Sequence, residues 1–424
     1  MSERSAKRTK PGFFWPVGGW VFLAAGVIVF AVTFGRTAKE LSWSYQEWAH
    51  TNVLFEQQAL DFTGPLVAAF GALLSGRLTP PRMLYALPRF SRDTAQYLAQ
   101  SLAPAALVVT AGYLLGVLPV TVETFRTATA DTLAPGSVAR GVLVVNVLLV
   151  LGWLAGLLIR SAYAAPIVFA VGFATSVVGY AIGAWNTITP VISSIGTPGR
   201  ETSFTFSLFR ASFFAVLMVA ALVTASSVLT NRGFDRRLTA KPLLPLFLPA
   251  ALAVAALVHP PAPQILQASP PLLCRQAIGL EFCMHRAHEK DLEPLIDGTE
   301  PIVTLVGREN LPFDRVYDWS LSDGTSPPKD STVFYADASP EWGISDVRSQ
   351  IASLVAGSEI CANKPGGEES EAGLNSFALF LHLAGQDGDS KNAFGEISGA
   401  QLRRWLTEHR TAITRCEVTD EMLP

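Results

Sequence analysis

Few residues in this chain have the types and spacing to do chemistry. His285, His288 and Glu289 form the stretch HRAHE. A zinc-protease helix would place two histidines four apart, with a glutamate between them as general base. Here the histidines are three apart and the glutamate follows the second. Such a pair can share a helix face, but no third ligand is identifiable. These residues are therefore expected to be exposed polar groups on a short helix, and no metal is assigned. The chain has no GxxxxGK[ST] to cradle nucleotide phosphates and no GxSxG nucleophile turn. Ser193 and Ser194 have no evident histidine partner. The expectation is a non-enzyme that needs no cofactor.

Cysteine chemistry is the second candidate. Cys274, Cys283, Cys361 and Cys416 all follow residue 258. No spacing is CxxC, which argues against a zinc ribbon. An even count confined to one region suggests two disulfides, with three pairings open. Pairing nearest neighbours, Cys274 with Cys283 and Cys361 with Cys416, is favoured. Each bridge would add about 2–4 kcal/mol. Such bonds persist outside the cytosol.

The remaining polar candidates sit among apolar runs. Arg77, Arg82, Arg89 and Arg92 are interleaved with Leu84, Tyr85, Leu87, Phe90 and Tyr97. A basic-aromatic segment of this kind could dock on a partner, or simply anchor at the membrane interface. Asn146 stands alone in VLVVNVLLV and could hydrogen-bond a neighbouring helix, worth about 0.6–2 kcal/mol. Three GxxxG pairs, Gly112/Gly116, Gly152/Gly156 and Gly179/Gly183, suit close helix packing. No Asp, Glu, Lys or Arg falls at the centre of an apolar run, which argues against an ion-coupled relay.

The elements that must position these residues follow from composition. The chain of 424 residues is 50% hydrophobic and 16% charged. Residues 1–258 hold 19 Lys and Arg against 10 Asp and Glu, while residues 259–424 hold 13 against 25. That contrast predicts a basic membrane half and an acidic soluble half, the latter a poor match for nucleic acid. Apolar runs predict spans near 13–34, 62–76, 101–121, 140–159, 163–184, 211–229 and 242–258, about seven in all. The first exceeds the apolar core of a signal peptide and reads as a retained span. Segments 35–61, 122–140 and 185–210 are expected to be outer loops, with Trp43, Tyr45 and Trp48 at the interface. Thirteen Lys and Arg fall in segments 1–12, 77–100, 160 and 230–241, and six in the alternate ones, which predicts an inside N-terminus.

The expected fold class is an α-helical polytopic membrane protein, N-in and C-out, followed by a small α+β extracytoplasmic domain. The boundaries are a basic cytosolic segment 1–12, a transmembrane domain 13–258, a Pro-rich stalk 259–273 and an acidic domain 274–424. Within the last, Ile302–Val306 and Thr332–Tyr335 read as strands. Ile344–Val355, Leu374–Leu383 and Gln401–Thr411 read as helices, and Asn363–Ala372 as an exposed loop.

Residues 13–258 resemble the membrane subunits of bacterial ABC transporters, particularly ABC-2-type permeases. The stretch carrying the resemblance is SGRLTPPRMLYALPRFSRDTAQYLAQ, between the second and third spans. In those proteins the corresponding loop is cytosolic and contacts a separate ATPase. The resemblance implies that Arg82, Arg89 and Arg92 bind such a subunit, and that two membrane halves assemble as a homodimer or heterodimer. The seventh span and the large C-terminal domain depart from the family pattern. A membrane-anchored extracytoplasmic binding or sensor protein is the alternative.

Overall fold

The computed structural model describes residues 19–43, 46–78, 91–161, 163–193, 196–230, 241–322, 332–339, 343–344, 347–367, 369–386 and 392–424. The N-terminal part is a helical bundle. Its elements are α1 (Gly19–Thr37), the short α2 (Trp48–Leu54) and α3 (Gln58–Asp61), α4 (Thr63–Leu78), α5 (Ser91–Thr127), α6 (Pro135–Ile159), α7 (Ala164–Ala181), α8 (Phe204–Thr230) and α9 (Phe247–Val258). Among the described residues, six helical stretches are long and apolar enough to cross a membrane, or seven if the bent stretch Trp48–Leu78 is one span. Their outward faces carry Leu23, Val27, Leu107, Val171, Val219 and Val254, all exposed. A face of that kind is stable in lipid and costly in water. The chain is therefore membrane-embedded.

Small residues set the closest packing. Gly152 and Gly156 of α6 lie against Ala68 and Ala72 of α4, and Gly71 of α4 lies against Leu149 and Trp153 of α6. Gly112 and Gly116 of α5 pack on Gly26 and Thr33 of α1. These two glycine pairs thus serve contacts inside the chain. The third differs. Gly179 meets Thr189 and Val191, while Gly183 lies beyond α7 and faces open space. Asn146 donates to Thr110 Oγ1 of α5 at 3.0 Å and to its own helix at Val142 O.

Segment 35–61, expected as a loop, is largely helical where described. It folds into α2 and α3, which lie against the bundle and bury Trp48, Val53, Leu54 and Leu60. Tyr113 of α5 donates to the Phe55 carbonyl, and Thr51 is 2.7 Å from Thr124. Aromatic residues that suit an interface here find a protein partner, as Trp48 does edge-on to Phe125.

The C-terminal part is an α+β domain. Strands β3 (Leu272–Ala277), β4 (Leu280–His285), β5 (Arg315–Asp318) and β6 (Val333–Ala336) form one sheet in that order. β3 and β4 are an antiparallel hairpin turned by Ile278 and Gly279, both at positive φ, the geometry of a tight two-residue turn. β4–β5 and β5–β6 pair in parallel. Leu280, Phe282 and Met284 alternate into a core with α10 (Leu292–Val306), α11 (Val347–Ala356), α13 (Glu371–Ala384) and α14 (Gly399–Arg415). The disulfide Cys274–Cys283 joins facing positions of the hairpin, and Cys361–Cys416 ties α12 (Ser358–Ala362) to the end of α14.

Ile302–Val306 is helical, not a strand. The β-branched run is the end of α10, whose buried positions Leu292, Leu295, Ile296, Thr299, Ile302, Val303 and Val306 follow a helical repeat. One continuous apolar stripe outweighs the local β propensity. The Pro-rich segment is pinned rather than free-standing. β2 (Gln264–Leu266) pairs antiparallel with β1 (Arg200–Thr202), which precedes α8.

Replacing Gly152 with Ala sets a methyl 1.8 Å from the Ala68 carbonyl, so backbone must move. The variant should lose about 1–3 kcal/mol, the usual cost of overpacking. Gly183→Ala should be neutral. Thermal unfolding of the two in detergent checks this. Equal stability would mean that the α4–α6 contact does not set the bundle.

Candidate functional site

The site is built from charges that are lone in sequence and paired in space. Glu56 follows α2, and Arg210 lies near the start of α8. Each is surrounded by uncharged residues in the chain, in VLFEQQAL and FSLFRASFF. Arg210 Nε donates to Glu56 Oε2 at 2.9 Å, and Arg140 Nε of α6 donates to Glu56 Oε1 at 2.6 Å. Glu56 and Arg210 are fully buried, and Arg140 is nearly so. Arg210 also donates to the carbonyls of Asn186, Thr189 (2.8 Å) and Pro190 (3.1 Å). Its guanidinium lies 5.1 Å from the Phe214 ring. One carboxylate therefore joins α2, α6, α8 and the segment after α7. Arg140 and Arg210 were expected in loops; instead they are buried helix residues. No charge sits at mid-span in these helices, but ionisable groups are buried at one end of the bundle.

Two further pairs border this triad. Arg36 of α1 binds both oxygens of Asp61, Nε to Oδ2 being 2.9 Å. His50 Nε2 lies 3.0 Å from Glu40 Oε2, with both side chains buried.

Above the triad the bundle meets the C-terminal domain. The contact is a strand pair and a set of specific bonds. Gln267 N donates to Gly199 O at 2.9 Å, Ser203 N to Pro263 O at 3.1 Å, and Arg200 Nη2 to Ser322 O at 3.1 Å. Gly199, at φ +79°, presses its backbone toward Ser320 and the His285 ring. Thr129, between α5 and α6, donates to Arg286 O at 3.2 Å and to Glu47 Oε1 at 3.3 Å.

The two histidines of HRAHE lie in this contact. Both are buried, contrary to expectation; of the three residues only Glu289 is exposed. His285 ends β4, and its Nδ1 accepts from Ala287 N at 3.1 Å. The ring proton of the neutral form is thus on Nε2, which is buried with no hydrogen-bond partner among the described residues. Burial lowers the pKa of His285, against the pull of Asp131. His288 Nδ1 is hydrogen-bonded to Asp318 Oδ2, while Asp318 Oδ1 accepts from Ser320 N at 2.9 Å. Asp291 stands near this pair. Burial, with the Asp318 charge, pushes its carboxyl up to about 6. Burial also raises Glu47, and its bonds from Thr129 and Ala130 oppose that. Among the described residues, only Cys274, Glu281 and Cys283 offer three converging metal-ligand atoms, and the two cysteines are disulfide-bonded.

Between bundle and domain lies a cavity of about 580 Å³. Arg140 forms part of its floor. Asn52, Asp131, Arg200, Glu201 and Gln267 also line it. Asp131 Oδ1 accepts from Gln267 Nε2 at 3.1 Å. A second cavity, of about 770 Å³, is apolar and lies among α5, α6 and α8, with Asn146 on its wall. Arg82 and Arg89 lie outside the described residues; Arg92 is in the first turn of α5. Of the earlier candidates, only HRAHE reaches the junction. Glu56, Arg140, Arg210, Asp131 and Asp318 were missed. A lone charge in an apolar-aromatic stretch was the available signal for Glu56 and Arg210.

No family model, curated protein or solved structure matches the chain.

Asp291 yields a signed pH dependence. Its folded pKa of about 6 exceeds the ordinary aspartate value of 3.8, so its contribution is fully present below the lower value and lost as pH rises through the upper. Asp291→Asn should therefore raise the melting temperature at about pH 7.5 and change it little at about pH 4. An equal change at both pH values would contradict the assignment.

Proposed function

We propose that the chain is a multi-pass protein of a bacterial cell membrane that binds a polar ligand between its bundle and an extracytoplasmic C-terminal domain. The cavity carries this reading. Charged and amide groups reach it from both parts, and its volume falls in the usual range for small-molecule sites. Its floor residue Arg140 is bonded to Glu56, so a ligand drawing on that guanidinium acts on a buried charge shared by several helices. The outside placement is supported by the excess of Lys and Arg in the segments expected inside and by two cysteine pairs at bonding distance. All four cysteines are paired, so Gln267→Cys introduces a lone thiol at the cavity. It should react with a membrane-impermeant maleimide on intact cells. The small-molecule fraction of the growth medium should slow that reaction, while leaving a Glu300→Cys control unchanged. Labelling only after lysis, or no slowing, would sink the proposal.

A second reading is a permease-like subunit driven by a separate ATPase, as a homodimer or heterodimer. One observation favours it. Tyr97 bonds to the Leu78 carbonyl, and Thr94 lies 3.2 Å from Thr230. The ends of α4 and α8 and the start of α5 thus gather away from the C-terminal domain, where a cytosolic partner would dock. Changing Arg82, Arg89 and Arg92 to Glu should abolish co-purification with an ATPase subunit. Retained co-purification would remove the coupling role.

A further inference from the structure

The lining of the junction cavity narrows the class of ligand, an inference that rests on the reading of that cavity as a binding site. Charge is the first constraint. Arg140 and Arg200 face Asp131 and Glu201. The Glu56 carboxylate beneath Arg140 is also bound to Arg210, so those two charges offset each other. The lining is therefore balanced, two cations against two anions. A simple anion would leave the carboxylates without a partner, and a simple cation would leave the guanidiniums so. Neither matches the whole surface.

Ring chemistry is the second constraint. No aromatic side chain is among the residues that line the cavity. A nucleobase has no aromatic face to stack on there. Hydrogen-bonding groups are plentiful by contrast, from Asn52 and Gln267.

The positive pole has a defined position. α6 starts at the cavity, with Pro135 in its first turn, and runs for 25 residues. Asn52 Oδ1 accepts from the backbone N–H of Ala134, just before the helix, at 2.8 Å, and the first turn holds no acidic residue. The Gly136 N–H and the helix dipole favour an anion there. Arg140 stands one turn further along the same helix, with Ser137 Oγ 3.1 Å from its Nη2. The negative pole is separate. Asp131, at φ 61°, precedes α6, and Glu201 projects from the β1 edge.

We propose that the cavity binds a small zwitterion, with its anionic oxygens at Arg140 and the start of α6 and its ammonium at Asp131 and Glu201. Two sources share this chemistry: a soluble molecule with phosphate or carboxylate and ammonium groups, or the headgroup of a zwitterionic phospholipid.

The probe is O-phosphoethanolamine, titrated by calorimetry into the full chain in nanodiscs of phosphatidylglycerol alone. Inorganic phosphate and ethanolamine, the two halves, are titrated in parallel. The probe should bind at least tenfold more tightly than either half. Arg200→Ala, which removes the one cation of the lining that stands outside the Glu56 triad, should weaken it at least twofold, and less than the loss of either carboxylate. Asp131→Asn and Glu201→Gln, which keep shape and remove charge, should each weaken it at least tenfold. Adding phosphatidylethanolamine to the nanodiscs distinguishes the sources: competition identifies the headgroup, and no competition identifies a soluble zwitterion. Phosphate binding as tightly as the probe, with loss in Arg200→Ala, would overturn the zwitterion and keep the cavity as an anion site. Failure of all three to bind would overturn the zwitterion. If labelling of Gln267→Cys were also insensitive to the medium, the binding reading would fall with it.

Discussion

A single carboxylate shared by two arginines holds one end of the bundle together. Charges at the Glu56 site are away from water, where isolated ions are costly and the loss of one partner typically costs about 3–5 kcal/mol. The arrangement is tolerable because both carboxylate oxygens and most of the guanidinium donors are engaged. Glu56 accepts from both guanidiniums, and Arg210 spends its remaining donors on three backbone carbonyls. Those carbonyls belong to the irregular segment after α7, whose backbone would otherwise need other partners. The ion network thus explains why short helices and bare backbone can lie against an apolar bundle. It also fixes α2, α6 and α8 relative to one another.

The same network sets the ground on which the C-terminal domain rests. Arg140 links the triad to the cavity, and the strand pair of β1 with β2 closes the cavity from the other side. Beyond it the contact is made by backbone groups and by polar side chains such as Arg200, Thr129 and Gln267. Such a contact is specific in geometry and sensitive to charge. The C-terminal domain has its own core and two disulfides, so its internal order does not depend on the junction. What the junction determines is where that domain stands.

Much of the bundle was legible because lipid-facing helices need long apolar runs, and those survive in any sequence order. The short α4 was readable for the same reason, though only its packing on α6 explains how Gly71, Gly152 and Gly156 are used. The cysteine pairs were legible because only four cysteines are present and those nearest one another in sequence, 9 and 55 residues apart, also pair in space. The triad was not. Glu56 and Arg210 are 154 residues apart, and nothing local announces their bond. A lone glutamate in an apolar-aromatic stretch signals a buried charge but does not name its partner. His288 was misjudged similarly, because Asp318, which makes its burial affordable, is 30 residues away. Long-range pairing of charges is the part of this fold that periodicity and composition do not encode.

The central claim is that the Glu56 network and the junction form one mechanical unit. Hydrogen–deuterium exchange of the full chain in nanodiscs, comparing the parent with Glu56→Gln, tests it directly. The account predicts faster exchange in 52–61 together with 199–203, 264–267 and 285–288, while α13 and α14 keep their protection. Acceleration confined to 52–61, with the strand pair and the histidine segment at parent rates, would contradict it.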